Sequence, residues 1–308
     1  MIVVPEALAE AHAKYEGEAG RAWIAALPGL AATMLERWDL TPTGPGRHGV
    51  AALVLPVTRA SGPGAGTRAA LKLQPATGES VGEPSALRAW RGDGAVRLLE
   101  HDPASGTMLL EALDPSRSLD DVPDVMEALA VLAGLMARLV AAPPPPGLRR
   151  LGDMTAGMLD RVRAAAPRLA DPAHRRLLTD WAAAVREVAD EPGGALLHWD
   201  LHYQNVLAPL PGARAAGREP WLAIDPKPLL GDPCFELLPA LWNRFVPDAA
   251  DVLRRFDLMT ETVALDRQRA VRWTLGRILQ NSLWLVEGGE TTLPADHTFI
   301  ADSLLARR

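Results

Sequence analysis

The stretch HWDLHYQN, His198 to Asn205, gathers two of the chain's seven histidines, an aspartate and an asparagine between apolar runs. Side chains of these types bind metals, carry out transfer chemistry, or simply make a polar turn. Asp200-x-His202 has the form of the opening ligands of a dinuclear metallophosphoesterase. That site needs further Asp, Asn and His in later motifs such as GNHD or GHxH, and only His297 lies downstream. A polar turn leaves unexplained the strand-like runs that follow. A third chemistry accounts for more of the residues.

Asp200 and Asn205 are five residues apart, and Asp225 follows twenty residues later at the end of the apolar run WLAID. Two strands returning beside each other would bring all three to one end of a hairpin. Phosphoryl transfer from ATP needs such a set. One carboxylate orients the acceptor hydroxyl and takes its proton, while an amide oxygen and a second carboxylate hold Mg²⁺ across the phosphates. The spacing D-x4-N followed by D is the one that protein kinases use.

The N-terminal third offers the complementary half. Only three of the 32 Lys and Arg residues are lysine, and Lys72 lies inside the apolar run AALKL. A lysine in such a run needs a partner. It is either an edge lysine snorkelling to water or a strand lysine that contacts the α- and β-phosphates. Glu83, at the start of the next helix, is the first candidate partner and Glu79 the second. Gly44-Pro-Gly46-Arg-His-Gly49 has G-x-G-x-x-G spacing just before a strand. That is weak alone, but it stands about where a phosphate-covering strand–turn–strand would precede Lys72. Adenine would then meet backbone around Glu111 to Leu113.

The elements that must position these residues are legible. Residues 1–42 are helical in pattern. HGVAALVLPVTR and RAALKLQP read as strands joined by the loop ASGPGAGT. SVGEPSALRAWRG reads as a helix with Ser80-x-x-Glu83 in capping-box spacing and Pro84 in its first turn, and AVRLLEHD and GTMLLEALD read as two more strands. From LDDVPDVM onward the pattern is a long helix, stopped by Pro143 to Pro146, then two helices over 152–166 and 172–190, the HWDLHYQN stretch, the loop PLPGARAAGREP and further helices. The expected division is an N-terminal nucleotide-binding lobe over 1–113 (helical 1–42, sheet 48–113), a hinge at 114–118, and a helical lobe over 119–308 carrying the catalytic loop and acceptor site.

Composition narrows the function. The 308 residues carry a net charge of −6 without a basic block, which argues against a nucleic-acid partner. No signal peptide or membrane span is read, and the single cysteine, Cys234, excludes an internal disulfide and a cysteine-based zinc site. A cytoplasmic protein, monomeric or homodimeric, is expected. From Glu236 to the C-terminus ten acidic residues face nine basic ones, so composition does not mark an acidic cleft for a cationic acceptor. Glu236, Glu287 and Glu290 are the acids to inspect there, and Trp242, Trp273 and Trp284 fit core positions better than sugar platforms.

HWDLHYQNVL and WLAIDPKPLLGDP, with ALKL, ALRAWRGDGAVRLLEHD and MLLEAL in the same order, resemble the aminoglycoside phosphotransferases, and within them the aminoglycoside/hydroxyurea branch that includes the streptomycin 6-phosphotransferases. The resemblance spans about residues 20–305 and implies an α+β, protein-kinase-like, two-lobed fold. It further implies an ATP- and Mg²⁺-dependent O-phosphotransferase with an aminoglycoside acceptor favoured, a metabolic kinase of a sugar or amino alcohol being the alternative, and a silent nucleotide-binding module a further one. By the same resemblance Asp200 is the catalytic base, Asn205 and Asp225 hold Mg²⁺, and Lys72 contacts phosphate. His198 and His202 become scaffolding of the loop. Lys227 is placed to neutralise γ-phosphate charge or is a plain turn lysine. Asp232 caps the next helix. Trp199 departs from the His-Gly-Asp of the wider family.

Overall fold

A computed structural model describes residues 2–61, 64–213 and 217–306. Residues 62–63 of the expected glycine-rich loop and 214–216 of the loop before WLAID lie outside them. The chain forms two compact units, Met1–Ser116 with Leu207–Leu222, and Arg117–Val206 with Ala223–Arg308.

The first unit opens with α1 (Glu6–Tyr15) and α2 (Gly17–Arg37), followed by β1 (Leu40–Pro42), β2 (Arg47–His48), β3 (Leu53–Arg59), β4 (Arg68–Leu73), α3 (Glu83–Trp90), β5 (Leu98–Asp102) and β6 (Thr107–Glu111). The strands make an antiparallel sheet in the order β1-β3-β4-β6-β5, with β2 paired to β3. Alternation decides which side chains go where. Leu53, Leu55 and Val57 of β3 and Ala69, Leu71 and Leu73 of β4 join one buried cluster with Leu8 of α1 and Leu27 and Met34 of α2. Lys72 therefore points away from that cluster. It lies on an inner strand, opposite Val54 of β3 and Met108 of β6, and not at an edge.

The capping box expected at Ser80 and Glu83 does not form. Gly82 is the N-cap of α3 and no side chain caps it, while Pro84 occupies the first turn as expected. Ser80 instead closes a tighter turn, accepting from Thr77 N and donating to Pro75 O. That leaves the Glu83 carboxylate available for Lys72. The chain leaves this unit within β7 (Leu113–Ser118), so residues 114–118 are extended strand.

The second unit comprises α4 (Val125–Val140), β8 (Arg149–Arg150), α5 (Leu151–Ala165), α6 (Pro172–Arg186), β9 (Ala195–Leu197), β12 (Leu229–Gly231), α7 (Leu238–Trp242), α8 (Ala249–Val263), α9 (Arg267–Glu287) and α10 (Ala295–Ala306), while β10 (Val206–Pro209) and β11 (Leu222–Ala223) straddle the two units. The terminal strand residues of β10 and β11 are where the chain passes to and from the first unit. The long helix expected from Leu119 starts only at Val125. Pro123 lacks an N–H and biases Val122 to extended backbone, so Leu119–Asp121 closes as a separate 3-10 turn and Asp124 caps the helix through Met126 N and Glu127 N. The core of the unit is built on α9, which packs on α6 and buries Trp273, Ile278, Leu279 and Leu283. Among the described residues no helix is long and apolar enough to cross a membrane.

Candidate active site

In the first unit, β4 and α3 bring Lys72 and Glu83 together. The Lys72 ammonium donates to both Glu83 oxygens at 2.7 and 2.8 Å, with the two side chains 5% and 1% exposed. Gln74 adds a third donor at 2.6 Å. Three donors on one buried carboxylate fix the ammonium in place, as burial of a charge requires. The G-x-G-x-x-G segment runs through β2 and the turn to β3, which Gly49 N closes on Ala52 O at 3.2 Å. A Cβ at Gly46 would stand 3.0 Å from Leu53 and Leu55, so that glycine is explained by packing; one at Gly49 would meet nothing within 4 Å. Open space at Gly49 leaves room for a ligand to approach backbone.

Glu111 and Leu113 stand at the end of β6 and the start of β7. The Glu111 carboxylate accepts from Arg97 N at 2.9 Å and from the Arg218 guanidinium at 2.5 Å. Arg218 itself is 8% exposed and also donates to Gly92 O and Ala95 O. Its segment, PLPGARAAGREP, reads in the sequence as a loop and nothing more. An arginine in a Gly- and Ala-rich loop carries no periodic signal.

In the second unit the loop from β9 to β12 assembles the other residues. The expected single hairpin is two strand pairs. β9 pairs with β12, Leu197 opposite Leu229, so Asp200 and Lys227 emerge from one end of that pair. Ile224 N donates to Asn205 O at 2.9 Å, which sets Asn205 beside Asp225. WLAID supplies only Leu222–Ala223 as strand, because Asp225 turns into left-handed backbone, φ +56. Gly193 begins the approach to β9 at φ +76, with the Asp232 backbone 2.7 Å from where a Cβ would be, so only glycine fits.

The resulting geometry is compact. Asn205 Nδ2 donates to Asp200 O at 2.9 Å, which leaves its Oδ1 directed elsewhere. Lys227 Nζ donates to Asp200 Oδ2 at 2.7 Å, and Lys227 N to His198 O at 3.0 Å. Burial pushes the Asp200 carboxyl up, but the Lys227 ammonium beside it, together with His202 and His198, brings it below the usual range. His198 is fully buried, and burial holds it down to about 4, so it is neutral near pH 7. Its Nδ1 accepts from Asp200 N at 3.3 Å, and its Nε2–H donates to Ile224 O at 3.0 Å. The histidine thus bridges the two halves of the loop. His202 is also lowered by burial, with Nε2 3.9 Å from Asp200.

Asn205 and Asp225 offer hard oxygen donors. Among the described residues no three His, Cys, Asp or Glu side chains converge as a metal cage. A donor set this sparse suits Mg²⁺, which keeps waters and takes phosphate oxygens beside one or two protein ligands.

Behind the loop stands Glu236, whose part sequence reasoning missed. It is 4% exposed, and its Oε1 accepts the Trp199 N–H. The signal was present: a carboxylate in the apolar run CFELL demands a partner, as Lys72 does in AALKL. Of the other acids, Glu287 binds Arg161 through both oxygens and Glu290 is exposed. Asp232 caps Pro233–Glu236 through Cys234 N and also accepts from Arg269. Trp273 is core, edge-on to Phe235, whereas Trp242 and Trp284 are 49% and 43% exposed and so are not core residues.

Burial pushes Glu236 up from 4.5 to about 7. Across that window the folded chain binds a proton that the unfolded chain has released, so Glu236 withdraws stability as pH rises through it. His198 has the opposite sign: between 6.5 and about 4 the unfolded chain binds the extra proton, and stability falls as pH falls. Glu236→Gln removes the first effect alone. Relative to the parent, the variant is expected to lose about 3 kcal/mol as pH drops from above 7 to below 4.5. Urea titrations of both proteins across that range measure it, and parallel curves would contradict the buried titration.

Comparison with known proteins places the chain. Residues 37–289 match the family described as aminoglycoside/hydroxyurea antibiotic resistance kinase. The chain is 53% identical over 310 residues to streptomycin 6-kinase of Streptomyces glaucescens, covering 99% of this chain and 97% of the relative. It is 55% identical over 309 residues to hydroxyurea phosphotransferase of Kitasatospora aureofaciens, covering 100% and 87%. A choline/ethanolamine kinase family protein from Mesorhizobium loti shares the fold, with a TM-score of 0.58 at 19% identity over 90% of this chain and 93% of that one. The fold is accordingly the protein-kinase-like one expected, and the chain belongs to the aminoglycoside/hydroxyurea antibiotic resistance kinase family.

Proposed function

We propose that this chain is an ATP- and Mg²⁺-dependent kinase that phosphorylates a hydroxyl of an aminoglycoside of the streptomycin type. The observation that carries the reading is the cluster of Asp200, Asn205, Asp225 and Lys227 around one loop, in a chain 53% identical to a streptomycin 6-kinase. Asp200, ionised at neutral pH, accepts the hydrogen bond of the acceptor hydroxyl and takes its proton late, as a loose phosphoryl-transfer transition state permits. A carboxylate held below its usual range is a weak base, and a late transfer asks no more of it. Asn205 Oδ1 and the Asp225 carboxylate would hold Mg²⁺, which would supply neutralisation of phosphate charge. Lys72, fixed by Glu83, contacts the α- and β-phosphates. The turn at Gly46 and Gly49 covers the phosphates, and backbone at Glu111 to Leu113 meets the base. Lys227, released from Asp200 by the incoming substrates, neutralises charge on the γ-phosphoryl group.

A second acceptor is favoured by one observation, the 55% identity to a hydroxyurea phosphotransferase. Incubation with γ-labelled ATP and Mg²⁺ against streptomycin, other aminoglycosides, hydroxyurea, sugars and amino alcohols tests both. Label is expected on streptomycin and none without Mg²⁺. Transfer to a sugar or amino alcohol in preference would replace the aminoglycoside reading, and ATP binding without transfer to any acceptor would overturn it.

A further inference from the structure

Trp199 stands immediately before Asp200 and holds φ +64. That backbone region is unfavourable for any residue with a Cβ and open to glycine. Something must hold the tryptophan in place. Its amide donates to the buried Glu236. Its indole is 3% exposed, with the guanidinium carbons of Arg149 and Arg277 over the ring at 4.7 and 4.8 Å from its centroid. Arg149 comes from β8 and Arg277 from α9, so two independent elements grip one ring. Filling space would need only an aliphatic side chain. Both guanidinium groups stand at cation–π distance from that one indole, and Arg277 also acts on the carboxylate of Glu236, the residue that takes the Trp199 amide.

We infer that Arg149 and Arg277, through the Trp199 indole, are positioning residues for Asp200. The stack keeps a non-glycine residue in left-handed backbone and so aims the carboxylate that follows it. The inference rests on the reading of Asp200 as the group that orients the acceptor hydroxyl. It makes glycine, not alanine, the tolerated replacement at position 199, and it makes the arginines dispensable once glycine is there.

The test measures kcat, KM for ATP and the thermal midpoint for Trp199→Gly, Trp199→Ala, Arg277→Met and the Trp199→Gly/Arg277→Met double variant. Trp199→Ala is expected to lower kcat more than Trp199→Gly does. Arg277→Met should lower kcat about 10-fold in the parent and less than about twofold in the glycine background. KM for ATP should stay within about twofold throughout, since a misaimed Asp200 weakens the transition state and not nucleotide binding. Equal or greater activity in Trp199→Ala than in Trp199→Gly, or an undiminished arginine effect in the glycine background, would overturn the inference. If Arg277→Met does not fold, Arg149→Met runs the same cycle. Asp200→Ala is assayed alongside: retained transfer there defeats the reading of Asp200, whereas an inactive Asp200→Ala beside an additive cycle defeats the positioning role alone.

Discussion

Asp200→Ala is expected to lower kcat about 1,000-fold while leaving KM for ATP within about twofold. The carboxylate is the group of the loop assigned to the acceptor hydroxyl, and nothing adjacent replaces it. His202 lies 3.9 Å away, and its role is read as scaffolding of the loop. Asp225→Ala should cost a similar factor, because loss of a metal ligand removes several kcal/mol of charge stabilisation. His202→Gln should cost far less. The order of these effects is the diagnostic part. Single-turnover assays at saturating ATP measure it, with thermal melts to show that each variant is folded. A His202→Gln loss equal to that of Asp200→Ala would mean that the base had been misassigned.

The second large effect concerns stability. Glu83→Ala should destabilise the protein by about 3–5 kcal/mol, since it removes the bidentate carboxylate from a Lys72 ammonium whose side chain is only 5% exposed. Replacing both residues, Lys72→Met with Glu83→Leu, should recover most of that loss, because an apolar pair of similar volume avoids the desolvation that the ion pair must overcome. Activity should not recover, since the double variant has no cation for the phosphates. Denaturant titration beside a kinase assay separates the two roles. A double variant as active as the parent would show that the lysine is structural only.

How much of this was legible beforehand depended on the kind of signal. Period-two alternation in LVLPV and ALKL revealed the sheet and singled out Lys72, because a charge in an apolar strand is conspicuous. Spacing singled out Asp200, Asn205 and Asp225. The pairing of their strands was not legible: β9 seeks β12 and not its neighbour in sequence, and three-residue strands carry too little pattern to reveal a partner. Ser80 and Glu83 had the spacing of a capping box, but a buried ammonium eleven residues away competed for the same carboxylate and won. Arg218 and Glu236 were missed as structural ties because each depends on backbone groups far away in the chain, Gly92 and Ala95 for one and Trp199 for the other.

The return of residues Leu207–Leu222 to the first unit has a consequence for how the protein is made. The ribosome completes Met1–Ser116 early, yet the guanidinium that Glu111, Gly92 and Ala95 await arrives only with Arg218. Until residue 218 of 308 has been added, the first unit is missing a piece of its interior. N-terminal-first maturation, the usual course for a multidomain nascent chain, is therefore denied to it, and a truncated product ending before that arginine would emerge with an acidic side chain lacking its principal counter-ion.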